Sequence, residues 1–248
     1  MAILVTRPQP DNDSTARALR ARGHEVLPAP MLRFEAMPFR DDADAHYGAV
    51  IVTSANALRA IAGEPVAATL RQLPLFAVGE RTAEAAREAG FDNVISADGD
   101  AGALRELVAD AVQSKLLKKT QTLLYLAGAD LARDLAGELG ERGFSVVTQT
   151  TYRMAPVTKL PDEIGAAFAA GSVAAVLHYS RRSARAFVDA VRAAGVEISA
   201  LAIPQCCLSD QVASVMRDAG ATRVMAAPMP HENALFAVLD RALAPLSR

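Results

Sequence analysis

Four segments of this chain recur, in order, further along it, and self-similarity of that kind restricts the fold to a duplicated architecture before any other feature is weighed. Ala2-Ile-Leu-Val-Thr6 aligns with Thr122-Leu-Leu-Tyr-Leu126, and Leu19, Gly23 and Val26 align with Leu139, Gly143 and Val146, all at an offset of 120. Ala49-Val-Ile-Val-Thr-Ser54 matches Ala175-Val-Leu-His-Tyr-Ser180 at 126, and the stretch 78–94, containing Glu88-Ala-Gly90, matches 208–224, containing Asp218-Ala-Gly220, at 130. The offset only grows, as small loop insertions would make it. The chain therefore reads as two homologous five-stranded halves.

Within each half, short β-branched or Leu-rich runs alternate with longer Ala/Arg/Glu-rich stretches of helical period, the pattern of repeated βα units on a parallel sheet. Strands are predicted near 2–6, 25–29, 49–53, 75–78, 93–96, 122–126, 145–150, 173–178, 202–207 and 223–226. Helices are predicted over 12–22, 55–62, 80–89, 101–114, 130–142, 161–170, 181–194, 209–219 and 231–243. The 52 alanines and only 5% aromatic residues favour helices packed closely on sheets over a β-sandwich. Two proline-bearing stretches, 28–38 and 152–161, interrupt the pattern at matched places inside each repeat and read as linkers. That placement predicts a chain that crosses between two domains twice.

Charge and cysteine usage exclude several functions. Lys plus Arg total 26 against 28 Asp plus Glu, so no broad basic surface exists for charge-driven nucleic-acid binding. The two cysteines, Cys206 and Cys207, are adjacent and staple nothing, which fits a reducing compartment and a packing role. No leader-like start and no apolar run of membrane-spanning length is found, so a cytoplasmic protein without membrane contact is expected. The four histidines, His24, His46, His178 and His231, are scattered, and none pairs at metal-ligand spacing, so no metal site is expected. No Gly-x-Gly-x-x-Gly follows a strand, and neither a phosphate-binding Gly-Lys-Ser/Thr nor a Gly-x-Ser-x-Gly elbow occurs.

What recurs is a polar cluster at the carboxyl ends of the predicted strands, the edge where open α/β sheets bind ligands. It comprises Thr6-Arg7, Thr53-Ser54-Ala55-Asn56, Gly79-Glu80-Arg81-Thr82, Gly128-Ala129-Asp130 followed by Arg133, Tyr179-Ser180-Arg181-Arg182, and Ser209-Asp210. Ser, Thr, Asn and Asp at such places also cap helices for purely structural reasons. Arg7, Arg133, Arg181 and Arg182, with the helix-start N–H groups, suit a small molecule bearing several carboxylates or phosphates. Their alternative role is that of solvated charges. No carboxylate pair or His-centred dyad accompanies them.

In order and spacing over more than 200 residues, these segments resemble the uroporphyrinogen-III synthase family. The resemblance rests on Leu4-Val-Thr-Arg-Pro8, Gly23-His-Glu-Val26 ahead of Pro28, Val52-Thr-Ser-Ala-Asn-Ala57, Ala77-Val-Gly-Glu-Arg-Thr-Ala83 and Glu88-Ala-Gly90. It continues through Leu126 and Gly128 with Arg133, Tyr152-Arg153 ahead of Pro156, and Ser180 with Ala184 and Phe187. It implies two flavodoxin-like α/β parallel-sheet domains, 1–31 plus 158–248 and 38–151, joined by a two-stranded linker of 32–37 and 152–157, with substrate in the cleft between. It also implies a cofactor-free enzyme acting on hydroxymethylbilane, and a monomer is expected. Water leaves the hydroxymethyl carbon, an azafulvene is attacked by the substituted carbon of the terminal ring, a spiro intermediate fragments, and closure follows with that ring inverted.

By resemblance, Tyr152 would donate the proton to the leaving hydroxyl or steady the spiro intermediate; its alternative role is that of a linker tyrosine. Arg7, Ser54, Asn56, Thr82, Arg133, Ser180 and Arg181 would bind substrate. The second copy of the Gly-x-x-Thr-Ala motif departs from the family pattern, with Val212 where threonine is usual and Ser209 nearby. The rival reading is a non-catalytic two-domain binding protein or sensor for an anionic small molecule.

Overall fold

In the computed structural model, which describes residues 1–40, 45–97, 99, 101–131 and 133–244, the apolar runs become strands and the Ala-rich stretches become helices. The chain begins β1 (Ala2–Val5), α1 (Asp11–Ala21), β2 (Val26–Pro28), β3 (Leu32–Ala36), β4 (Tyr47–Val52), α2 (Ala55–Ile61), α3 (Val66–Leu70) and β5 (Leu75–Ala77). It continues α4 (Glu80–Glu88), β6 (Val94–Ser96), α5 (Ala101–Gln113), β7 (Thr122–Gly128), α6 (Leu135–Glu141) and β8 (Ser145–Pro156). Last come α7 (Asp162–Ala169), β9 (Val173–His178), α8 (Arg181–Ala193), α9 (Glu197–Ala202), β10 (Gln205–Cys207), α10 (Asp210–Asp218), β11 (Val224–Ala226) and α11 (Glu232–Leu243).

The strands form two sheets, in the orders β11-β10-β9-β1-β2 and β3-β8-β7-β4-β5-β6. Aligned by the sequence repeats, β2-β1-β9-β10-β11 and β8-β7-β4-β5-β6 have the same order, that of the flavodoxin-like doubly wound sheet. The first βαβ piece of each repeat thus pairs with the last three strands of the other. The chain accordingly divides into one unit of Met1–Arg33 with Ala155–Arg248 and a second of Phe34–Met154, residues 245–248 lying outside the description. Both boundaries fall within strands, 33/34 in β3 and 154/155 in β8.

Side-chain alternation explains why the central strands are apolar throughout. In β4, Ala49 and Ile51 join Phe76, Leu123 and Tyr125 in one core cluster, while Val50 and Val52 join Leu75, Ala77, Leu124 and Leu126 in another. Both faces of the sheet are covered by helices, so period 2 carries no polar partner. In the first unit, Ile3, Val5, Ala175, Leu177 and Cys206 pack against Leu19 of α1 and Leu235, Phe236 and Leu239 of α11. The repeated Ala-Gly after α4 and α10 is a helix stop: Gly90 and Gly220 take φ of 90° and 93°, a left-handed conformation in which a side chain would be strained.

The structure departs from the predicted elements in five places, the first being the five-residue helix α3 (Val66–Leu70), where no element was expected. The segment 32–36 is a strand, the pattern Leu32-Arg-Phe-Glu-Ala36 alternating apolar and polar between its flanking prolines. Strand β8 runs on to Pro156 instead of stopping near 150: β7 pairs with it only as far as Tyr152, and β3 is its other neighbour in the sheet. The predicted strand 202–207 is reduced to Gln205–Cys207, because 197–202 is helical. The helix predicted from 130 starts at Leu135, capped by Asp134, whose Oδ1 accepts from the Gly137 N–H at 2.9 Å; Ala132 lies outside the described residues.

Candidate active site

The sequence-predicted residues lie at the carboxyl ends of the strands of two separate units. In the first unit, Thr6 ends β1 by donating both its hydroxyl (2.9 Å) and its N–H (3.2 Å) to the Leu177 carbonyl, so this threonine closes the sheet. Arg7 follows, and its guanidinium is already engaged: 3.0 Å from Asp11 Oδ2, 3.3 Å from Glu232 Oε1 and 3.3 Å from Thr15 Oγ1, with Cζ 4.8 Å from the Tyr179 ring centre. The same Glu232 oxygen accepts from Thr15 Oγ1 at 2.5 Å and from the Tyr179 hydroxyl at 2.9 Å. Burial, with Glu232 beside it, holds the Tyr179 phenol well above its ordinary value, so it stays a donor. Any anion recognised by Arg7 must compete with two carboxylates.

Ser180 caps α8, its Oγ accepting from the Ser183 N–H at 3.1 Å. Arg181 is exposed and lines a groove of about 350 Å³ between α8 and α10, with Arg185, Asp189, Arg192, Ser214 and Asp218. Val212, where the family pattern has threonine, is 4% exposed and packs inward, and Ser209 precedes α10 without a side-chain cap bond. His178 is fully buried. The Gln205 amide nitrogen donates to the Ala200 (2.7 Å) and Ile203 (2.9 Å) carbonyls, so its oxygen faces His178 Nε2 at 2.9 Å as an acceptor. His178 is therefore the Nε2–H tautomer, its Nδ1 without a hydrogen-bond partner among the described residues, and burial pushes its pKa down to about 4. Burial likewise pushes the thiols of Cys206 and Cys207 up to about 12, which makes them packing groups and not nucleophiles.

In the second unit, Ser54 caps α2, accepting from the Asn56 N–H at 3.2 Å, and Asn56 Nδ2 points at Met154 Sδ, 3.8 Å away. Thr53 Oγ1 and the Tyr125 hydroxyl lie 3.1 Å apart, and burial raises the Tyr125 phenol. Thr82, in the first turn of α4, is 8% exposed, and among the described residues its hydroxyl makes no hydrogen bond. Arg133 bonds through Nε to Glu138, which also meets Arg105 at 3.1 Å; the arginine hydrogen bond lowers the Glu138 carboxyl. Arg133 belongs to a surface ion network.

Tyr152 is differently placed. The register between β7 and β8 slips by one residue between Ala127 and Gly128, so that Ala127 pairs with Thr150 but Gly128 pairs with Tyr152. Thr151 is thereby buried, donating its Oγ1 to the Ala127 carbonyl at 3.3 Å. The half-buried Tyr152 ring stacks on Phe34, centres 5.8 Å apart at 23°, and Phe34 in turn carries the Arg59 guanidinium at 4.2 Å. The Tyr152 hydroxyl makes no hydrogen bond among the described residues, so its proton is available to an incoming group.

Within the second unit the fold thus joins Asn56 to the Tyr152 strand through Met154, while Arg133 is drawn off into ion pairs. Phe34, Arg59 and Tyr125 escaped the sequence reading, as did Thr15, Asp11 and Glu232 around Arg7. The alternation in 32–36 was the available signal for Phe34. Nothing in the sequence pairs Glu232 with Arg7, which are 225 positions apart.

A family model described as Uroporphyrinogen-III synthase HemD matches residues 13–237. No curated protein matches the sequence. Among solved structures, the chain is similar to uroporphyrinogen-III synthetase from Helicobacter pylori 26695, with a TM-score of 0.64 at 16% identity over 97% of this chain and 98% of that one. It is also similar to a mutant uroporphyrinogen III synthase from Thermus thermophilus, with a TM-score of 0.51 at 16% identity over 98% and 99%. At such identities these two likenesses speak for the fold, whereas the family match covers most of the sequence. The chain belongs to the uroporphyrinogen-III synthase family.

Proposed function

We infer that this chain closes hydroxymethylbilane, with loss of water and inversion of the terminal pyrrole ring, to uroporphyrinogen III, and that the Tyr152 hydroxyl is the proton donor. The family match over residues 13–237 carries the reaction. The Tyr152 assignment is supported by its unbonded hydroxyl at the carboxyl edge of the second sheet. The phenol proton leaves with the hydroxymethyl oxygen as water, the electron-rich pyrrole supplying the push. After attack, spiro formation and fragmentation, the proton lost when the last ring regains aromaticity returns to the phenolate. The net change is loss of one water.

Thr82, Ser54, Asn56, Ser180 and Arg181 bind the substrate, Thr82 through its unbonded hydroxyl and the others at helix starts, where N–H groups favour anions. Arg7 and Arg133 contribute by exchanging an internal carboxylate for one of the substrate's. Positioning carries most of the work, because His178 stays neutral and both thiols stay protonated near neutral pH. The chain acts as a cytoplasmic monomer without nucleic acid or membrane, a reading supported by its net charge of -2 and its two free buried thiols. Incubating the purified protein with hydroxymethylbilane and resolving the product isomers tests the activity. The rearranged isomer is expected, and formation of only the unrearranged isomer at the spontaneous rate would overturn it.

A further inference from the structure

Resting on the assignment of Tyr152 as proton donor, we propose that Phe34 and Gly128, on the two strands that flank β8, are positioning residues which hold the Tyr152 phenol at one place at the sheet edge. From β3 the Phe34 ring stacks at 5.8 Å and 23°, itself covered by Arg59 at 4.2 Å from its centre. From β7 the fit is set by a missing atom. A Cβ at residue 128 would come 2.7 Å from Tyr152 Cζ and 2.9 Å from its Oη, so only glycine admits the ring where it lies. The conformation of Gly128 does not call for glycine, since its φ is not positive. The requirement is the close approach alone.

The register slip supplies the third element of the device. Without it Gly128 would face Thr151, and the phenol would sit elsewhere along the strand; with it Tyr152 pairs with Gly128 directly. Irregular register is a common means of re-aiming one side chain next to a site of chemistry. The atoms that a residue-128 side chain would strike are the far end of a side chain with two rotatable bonds. The ring can swing away at small cost to the sheet, but the hydroxyl then leaves its place. A general acid displaced by about 1 Å loses on the order of 10²-fold in rate, so the expected signature is lost turnover in a protein that remains folded.

The test is a set of variants of the intact chain measured for kcat, KM, isomer ratio and melting temperature. Gly128→Ala and Phe34→Leu should each lower kcat about tenfold or more while KM stays within about threefold and melting shifts by only a few degrees. Phe34→Tyr, which keeps a stacking ring, should restore most of the turnover. In a Tyr152→Phe background both substitutions should have little further effect, because residues that act as a unit are non-additive. Tyr152→Phe turning over at the wild-type rate would remove the proton-donor assignment, and this proposal with it. A slow Tyr152→Phe variant beside unimpaired Gly128→Ala and Phe34→Leu, or losses that multiply fully with Tyr152→Phe, would overturn the positioning role alone. If Gly128→Ala does not fold, the Phe34 pair decides in the same way.

Discussion

Residues that look alike in sequence separate once their partners are known, and the arginines show it best. Arg7 holds Asp11 and Glu232 and packs on Tyr179 with 23% of its side chain exposed. Arg7→Ala strips a partly buried carboxylate of its charge partner and should lower stability by about 1–2 kcal/mol, measurable by urea unfolding. Arg181 is exposed, and Arg181→Ala should leave stability within about 0.5 kcal/mol and raise KM a few-fold. Equal melting losses in the two variants would contradict this division. Tyr152→Phe should slow turnover by roughly 10²-fold or more with melting unchanged; an unchanged rate would make Tyr152 a structural residue of β8.

His178 adds a pH dependence whose sign follows from its burial. Its pKa lies near 4 in the folded protein, against about 6.5 unfolded, so above pH 6.5 it is neutral in both states and contributes nothing to the slope. Below that, the unfolded chain takes up a proton that the folded one refuses, and stability falls as pH drops toward 4. Between pH 7 and 4.5 the loss should be roughly 2–3 kcal/mol. His178→Leu should flatten this part of the profile at a cost at neutral pH, since Gln205 Oε1 then lacks its donor. Parallel pH profiles for the two proteins would refute the account.

At the scale of elements, caps and strand alternation decide what was readable. Ser54, Ser180 and the repeated Ala-Gly stops lie where the sequence puts helix ends, and Ser180→Ala should cost about 1 kcal/mol, seen in melting whatever its effect on substrate. The alternating halves and the central apolar strands were legible because each helix buries one stripe and each central strand both faces. Strand β3 was not, because Pro30 and Pro38 outweighed a five-residue alternation, and α9 was hidden in a stretch too short to show helical period. The placement of Tyr152 was legible only as a candidate. What fixes its ring is a one-residue slip in pairing and a glycine on the neighbouring strand, and neither leaves a periodic trace.

For the whole molecule, the net charge of -2 and a multiply anionic substrate make salt the natural probe. Exposed pairs are screened beyond about 10 Å at 0.1 M, so KM should rise with ionic strength while kcat changes little; a flat KM would place recognition on backbone N–H groups. The two sheets also differ in how their strands are gathered. The second unit, Phe34–Met154, is one continuous stretch, whereas β1 pairs with β9, and Thr6 bonds to Leu177, 171 positions on. On the ribosome these two units must therefore be completed in a fixed order. The second can close as soon as its last strand emerges, while β1, whose residues are all buried in the end, waits roughly 10–30 s for its partner at 5–20 residues per second. Nascent chains stalled far enough beyond residue 156 for β8 to have left the exit tunnel should resist protease in the elements of the second unit and be cut within 1–33, and the released chain should resist in the elements of both units. Slow codons placed anywhere between those for β1 and those for β9 would lengthen the interval in which an apolar strand stands unpaired, and the yield of this protein should be more sensitive to translation speed there than beyond β9.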